Sequence, residues 1–126
     1  MFDLRRTVWL NRRGHSVDAL PSVINLKDQV MPTMGNSIGW YEGSTLVIDT
    51  IGFEAGMLEQ HPGLPHSDQL HMVERLTLNE AGDAFELLLT IEDSLYFTDQ
   101  LTQTRSFVAS NATPQRYNCT HPELGR

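Results

Sequence analysis

The sequence predicts one mostly β domain, an antiparallel meander that forms a curved sheet or a small barrel-like body. Three observations carry that prediction. The apolar runs are short, rich in β-branched and aromatic residues, and bounded by Gly, Asn, Asp or Pro, the pattern of strands. Glu42-Gly43 lies between Trp40-Tyr41 and Leu46-Val-Ile, a tight-turn signal between two strands. The 126 residues are 40% hydrophobic, enough for one core and too apolar for a disordered chain.

Taken in order, the first strand runs over residues 4–10 and ends at the turn-like Asn11-Arg-Arg-Gly14. Residues 15–35 are poorly patterned and punctuated by Pro21 and Pro32, which reads as loop with at most a turn of helix. The second strand covers 38–41 and the third 45–53. The longest loop, 54–68, holds Gly56, Pro62, Gly63 and Pro65 and is expected to be irregular; loops of that length are often functional. The fourth strand covers 70–78, the fifth 85–91 after the turn at Asn79–Asp83, and the sixth 101–108. The tail from about residue 111 is expected to be only partly ordered. Sequential hairpins of this kind form a meander. Six strands are few for a closed barrel, and an open sheet leaves edges, so self-association as a homodimer is expected.

Net charge is −7, from nine basic and sixteen acidic residues, which argues against nucleic acid as partner. Arg5, Arg6, Arg12 and Arg13 are the one local exception, and they read most simply as a solvated face or a set of ion pairs. A single cysteine, Cys119, allows neither an intrachain disulfide nor a cysteine-based zinc site. That usage, the lack of an apolar export segment at the start, and the absence of any run near the ~20 apolar residues of a membrane helix predict a cytoplasmic protein with no membrane partner. The sequons at Asn111 and Asn118 are then chance matches.

Strand alternation identifies polar residues among apolar ones. Glu74 shares a face with Leu70, Met72, Leu76 and Leu78; Gln103 and Arg105 share one with Leu101 and Phe107; Asp49 falls between competing core faces. Glu74 and Arg105 either form a structural ion pair or line an apolar pocket as ligand anchors. Asp49, Glu74, Arg105, Gln103 and Trp40 are therefore the candidate pocket residues, although Trp40 reads first as a core or rim aromatic. His61, His66 and His71 recur every five residues, and imidazoles are ligands for a divalent transition metal. Their spacing matches no defined metal signature, and His66 equally suits a structural hydrogen bond. Ser67 beside His66 is a poor arrangement for a Ser-His-Asp triad, and no nucleophile elbow or phosphate-binding Gly loop is present.

Met31-Pro-Thr-Met-Gly-Asn-Ser-Ile-Gly39, Tyr41-Glu-Gly-Ser-Thr-Leu-Val-Ile-Asp-Thr-Ile-Gly-Phe53, Pro65-His-Ser-Asp-Gln-Leu-His-Met-Val-Glu-Arg75 and Leu89-Thr-Ile-Glu-Asp93 together resemble a family of uncharacterised bacterial proteins. The likeness covers about three quarters of the chain. It implies motif roles for Glu42, Gly43, Asp49, Gly52, His66, Ser67, Glu74 and Arg75 but no established activity. Tyr41 stands where that pattern has Trp, and Ser44 where it has Asp. Three functions follow as expectations: a protein that binds a small apolar ligand in its pocket; a small lyase, isomerase or hydrolase built on the same pocket, with His66 or His71 as base or metal ligand; or a homodimeric interaction module without chemistry.

Overall fold

A two-residue turn at Gly43-Ser44 joins two nine-residue strands, with Glu42 paired to Thr45 across it. Gly43 has φ +61°, the left-handed value that primed hairpin turns require and that glycine adopts without steric penalty. Around this hairpin a computed structural model describes residues 4–10, 14–15, 21–25, 29–31, 34–59 and 63–111. Those residues contain ten strands and no helix. Accordingly, no helix among them is long and apolar enough to cross a membrane.

The strands are β1 (Leu4–Arg6), β2 (Val8–Leu10), β3 (Val23–Asn25), β4 (Met34–Glu42), β5 (Thr45–Phe53), β6 (Gly56–Glu59), β7 (Leu64–His66), β8 (His71–Leu78), β9 (Ala84–Glu92) and β10 (Leu101–Val108). Six of them form one sheet in the order β10-β9-β8-β5-β4-β2. From β4 to β10 it is the expected antiparallel meander, and β2 adds to its far side in parallel with β4. The sheet does not close into a barrel: β10 and β2 are its edges.

Four local expectations need correction. The first strand is split at Thr7, so that β1 pairs with β3 while β2 pairs with β4. The stretch before β4 contains β3. The loop after β5 is not irregular, because β6 and β7 pair as a short ribbon with a register shift between Met57 and Glu59. Strand β4 also starts four residues earlier than expected. Its Gly35, Ser37 and Gly39 are weak strand formers, but packing demands small residues there. A Cβ on Gly35 would lie 2.6 Å from the Ile51 carbonyl oxygen, and one on Gly39 would lie 2.9 Å from Val8 Cγ1.

Register defines the two faces, since residues directly opposite on neighbouring strands point to the same side. One face carries Ile38, Asp49, Val73 and Thr90 in one row. The other carries Ile48, Glu74, Leu89 and Gln103, with Leu46, Leu76, Leu87 and Arg105 in the row beside it. We call these the Asp49 face and the Arg105 face. Among the described residues, the buried apolar side chains are Val23, Ile38, Val47, Ile48 and Leu70, so the solid core sits mainly at β4 and β5. On the Arg105 face the segment before β3 is fastened to the sheet by polar contacts. The Ser37 amide donates to Ser22 Oγ (2.6 Å), the Ser22 amide donates to the Gly35 carbonyl (2.8 Å), and the Ser37 and Thr50 hydroxyls bond each other (2.7 Å). These groups are buried and mutually satisfied, which removes the penalty of hiding them from water.

Candidate functional site

Two assemblies of polar side chains stand on opposite faces of the sheet. On the Arg105 face, the β6–β7 ribbon lays Leu58 and Leu64 over Met72, Leu89, Ile91 and Leu101 and leaves a groove of about 380 Å³. Gln103 and Arg105 line the same groove. The volume falls within the range of small-molecule sites, and the composition is theirs too: apolar walls with a few polar groups. The alternation of β9 and β10 supplies it, since Leu89 lies opposite Gln103, Leu87 opposite Arg105, and Ile91 opposite Leu101. Strand β10 forms the outer wall and is exposed along its whole length. The Arg105 guanidinium donates to Gln103 Oε1 at 3.3 Å and has no carboxylate partner among the described residues.

The ion pair expected between Glu74 and Arg105 does not form. Strand β9 runs between their strands and interposes Leu87 and Leu89, and the two also sit in neighbouring rows, which sets their backbones about 12 Å apart at ordinary strand spacing and rise. Glu74 instead accepts two hydrogen bonds from the Arg6 guanidinium, delivered by β1. It lies in the groove's row without lining the groove. Trp40 is remote from it, on the Asp49 face, where its indole N–H donates to Glu42 (3.1 Å). Glu42 also accepts from Arg75 (2.8 Å), so two positions of the family-like pattern serve as a surface pair.

The second assembly centres on Asp49. Its Oδ1 lies 2.8 Å from His15 Nε2, and its Oδ2 lies 2.8 Å from His71 Nε2. His15 Nδ1 in turn lies 2.9 Å from Asn36 Oδ1. Facing an ionised carboxylate, which only accepts, each Nε2 is the protonated nitrogen and donates. For neutral His71 this leaves Nδ1 with the lone pair. The Asp49 and His15 side chains are 19% and 13% exposed, His71 is 35% exposed, and the three come from chain segments 22 and 34 residues apart. The ambiguous side of Asp49 is thereby settled: it turns away from the groove. His15 was missed from the sequence because it lies in the unpatterned stretch before β4, and Asn36 because it falls in the early part of β4, ahead of the expected strand start at residue 38.

The histidine series does not gather. His61 lies outside the described residues. His66 is buried at the end of β7, where its Nδ1 donates to the Ser67 carbonyl (2.9 Å) and its ring meets Phe53 edge-on at 6.2 Å between centroids. His71 belongs to Asp49. Among the described residues, no group of three His, Cys, Asp or Glu side chains is placed to hold a metal ion. Ser67 is likewise no nucleophile poised by His66. Its hydroxyl donates to Asp93 Oδ1 (2.8 Å) and its amide to Asp93 Oδ2 (2.6 Å), while the Leu95 amide donates to Oδ1 (3.1 Å). Burial opposes the charge of Asp93, but the Ser67 amide and hydroxyl, the Leu95 amide and the nearby His66 outweigh it and hold the carboxyl below the usual aspartate range. A larger hollow of about 450 Å³ beside this turn is rimmed by three acidic side chains: Asp93, engaged as described, Glu92, which accepts from the Gln100 amide, and Asp99.

No family model, curated protein or solved structure matches this chain, so its geometry alone carries the functional argument.

Proposed function

We propose that the protein binds a small molecule with an apolar body and an anionic end in the groove between the Arg105 face and the β6–β7 ribbon. The observation that carries this reading is the position of Arg105. It is a guanidinium without a carboxylate partner among the described residues, at an apolar groove, in a chain whose net charge is −7. Two other arginines are neutralised, Arg6 of β1 by Glu74 and Arg75 of β8 by Glu42. A carboxylate suits the fork of donors that Arg105 presents, and Gln103 beside it adds an amide. Six apolar side chains then take the remainder of the ligand out of water.

Decanoate and decanol test this directly by calorimetric titration, since they share a chain and differ in the charged end. Decanoate is expected to bind saturably and more tightly than decanol. Arg105→Gln is expected to weaken decanoate about tenfold or more, the scale of one charge-assisted hydrogen bond, while leaving decanol unchanged. Equal binding of both ligands by the Arg105→Gln protein and the parent, or no saturable binding at all, contradicts the reading.

One observation favours a second reading. Asp49 orients the His71 ring and leaves Nδ1 as a base, the carboxylate–imidazole relation used in acyl transfer. Under that reading the Asp49 face hydrolyses activated esters such as 4-nitrophenyl acetate faster than free imidazole does, and His71→Gln removes the excess. A rate unchanged by His71→Gln excludes it.

A further inference from the structure

Among the described residues, strand β10 ends the sheet and no other strand pairs with its outer edge, and natural edge strands are normally blunted by charge, proline, bulges or covering segments. Of the first three, this one has only a single charge. Its eight residues pair with β9 in unbroken register, it contains no proline, and its single charge is Arg105. Leu101 and Phe107 are 39% and 40% exposed on it, and Val108 is 80% exposed.

The sequence of the strand is nearly palindromic about Thr104. Outward from that residue come Gln103 and Arg105, then Thr102 and Ser106, then Leu101 and Phe107. We infer that β10 pairs antiparallel with β10 of a second copy about a two-fold axis through Thr104, joining two six-stranded sheets into one of twelve strands.

In this register every cross-strand pair is compatible. Thr104 meets Thr104 of the second copy, Arg105 meets the partner's Gln103, Ser106 meets the partner's Thr102, and Phe107 meets the partner's Leu101. Facing pairs of this kind stabilise antiparallel ladders. An axis through Arg105 would set two guanidinium groups opposite each other, and an axis through Gln103 would pair Arg105 with Leu101. The axis stands perpendicular to the sheet, so the Arg105 faces of both copies lie on one side, and the interface is isologous. Phe107, stacked on Phe85 at 5.0 Å and 20° within its own chain, then extends that apolar row across the axis onto the partner's Leu101. The second copy also supplies what the groove lacks. The outer wall formed by Leu101 and Gln103 gains Phe107 and Arg105 of the partner, so each groove is closed by two chains and faces two guanidinium groups.

The register makes the test specific. In a Cys119→Ser background, three single variants are compared under mild oxidation: Thr104→Cys, Thr102→Cys and Ser106→Cys. All three sites point to the Asp49 face and are exposed. Opposed Cα atoms in such a ladder are about 4.5–5.5 Å apart, within disulfide range, whereas two copies of residue 102 would be roughly 13 Å apart. Thr104→Cys is expected to form a covalent dimer, Thr102→Cys and Ser106→Cys are expected to stay single, and a mixture of those two is expected to cross-link. Sedimentation of the parent should give twice the monomer mass, and Thr104→Lys, which sets like charges on the axis, should raise the dissociation constant at least tenfold. A monomeric parent overturns the inference. So does a dimer that cross-links at 102 or 106 alone, or one that Thr104→Lys leaves intact. None of these results depends on whether decanoate binds.

Discussion

Replacing Asp93 with alanine strips three hydrogen bonds from a side chain that is only 2% exposed. The Ser67 amide is left buried without an acceptor, and the Ser67 hydroxyl must find another, while the half-open Leu95 amide can take water. Each buried donor without a partner costs about 1–3 kcal/mol, so Asp93→Ala should lose about 3 kcal/mol, and Ser67→Ala, which removes the hydroxyl that donates to Asp93 and accepts from the part-buried Gln69 amide, about 1–2 kcal/mol. Urea unfolding measures both, provided the slope is unchanged. The same carboxylate sets an acid limit. Its folded pKa lies below the ordinary value of 3.8, so its contribution is fully present above that value and is lost as pH falls through the lower folded pKa. The parent should therefore lose stability below about pH 4, and Asp93→Asn should flatten that limb. A loss under about 1 kcal/mol in Asp93→Ala, or an acid limb identical in parent and Asp93→Asn, would refute the view of Asp93 as the staple between the β7–β8 corner and the turn after β9.

Asp49→Ala removes the acceptor shared by His15 and His71 and should cost about 1–3 kcal/mol, read as a fall in urea midpoint, because His15 is left largely enclosed. A midpoint within error of the parent would mean that the cluster does not tie residue 15 to the sheet. A double-mutant cycle between Arg6 and Glu74 should show coupling of about 0.5–1 kcal/mol, small because the Arg6 side chain is 36% exposed. The same cycle between Arg105 and Glu74 should show none, and measurable coupling there would restore the ion pair that the strand order disallows.

The parts of the fold that were legible in the sequence are those written in short-range pattern. The alternation in residues 70–78, 85–91 and 101–108 names β8, β9 and β10 almost to the residue, and the Gly43 turn names the hairpin between β4 and β5. Strands β3, β6 and β7 were not legible, since three or four residues beside proline and glycine carry no period. The parallel contact of β2 with β4 was equally hidden, because it joins segments about 29 residues apart without a turn signal. The groove was half legible. Gln103 and Arg105 stood out as polar residues on an apolar strand face, and they do line it. Glu74 stood out in the same way, yet a strand's period does not say which strand lies beside it, and β9 rather than β10 does. The Asp49 assembly depends on His15, whose only signal is a contact made across 34 residues.

The most direct test of ligand capture in the groove is a methyl spectrum of the leucines recorded with and without decanoate. Shifts concentrated on Leu58, Leu64, Leu89 and Leu101, with Leu88 on the opposite face unmoved, are the predicted result. No shifts at saturating decanoate, or shifts spread equally over both faces of the sheet, would contradict the account.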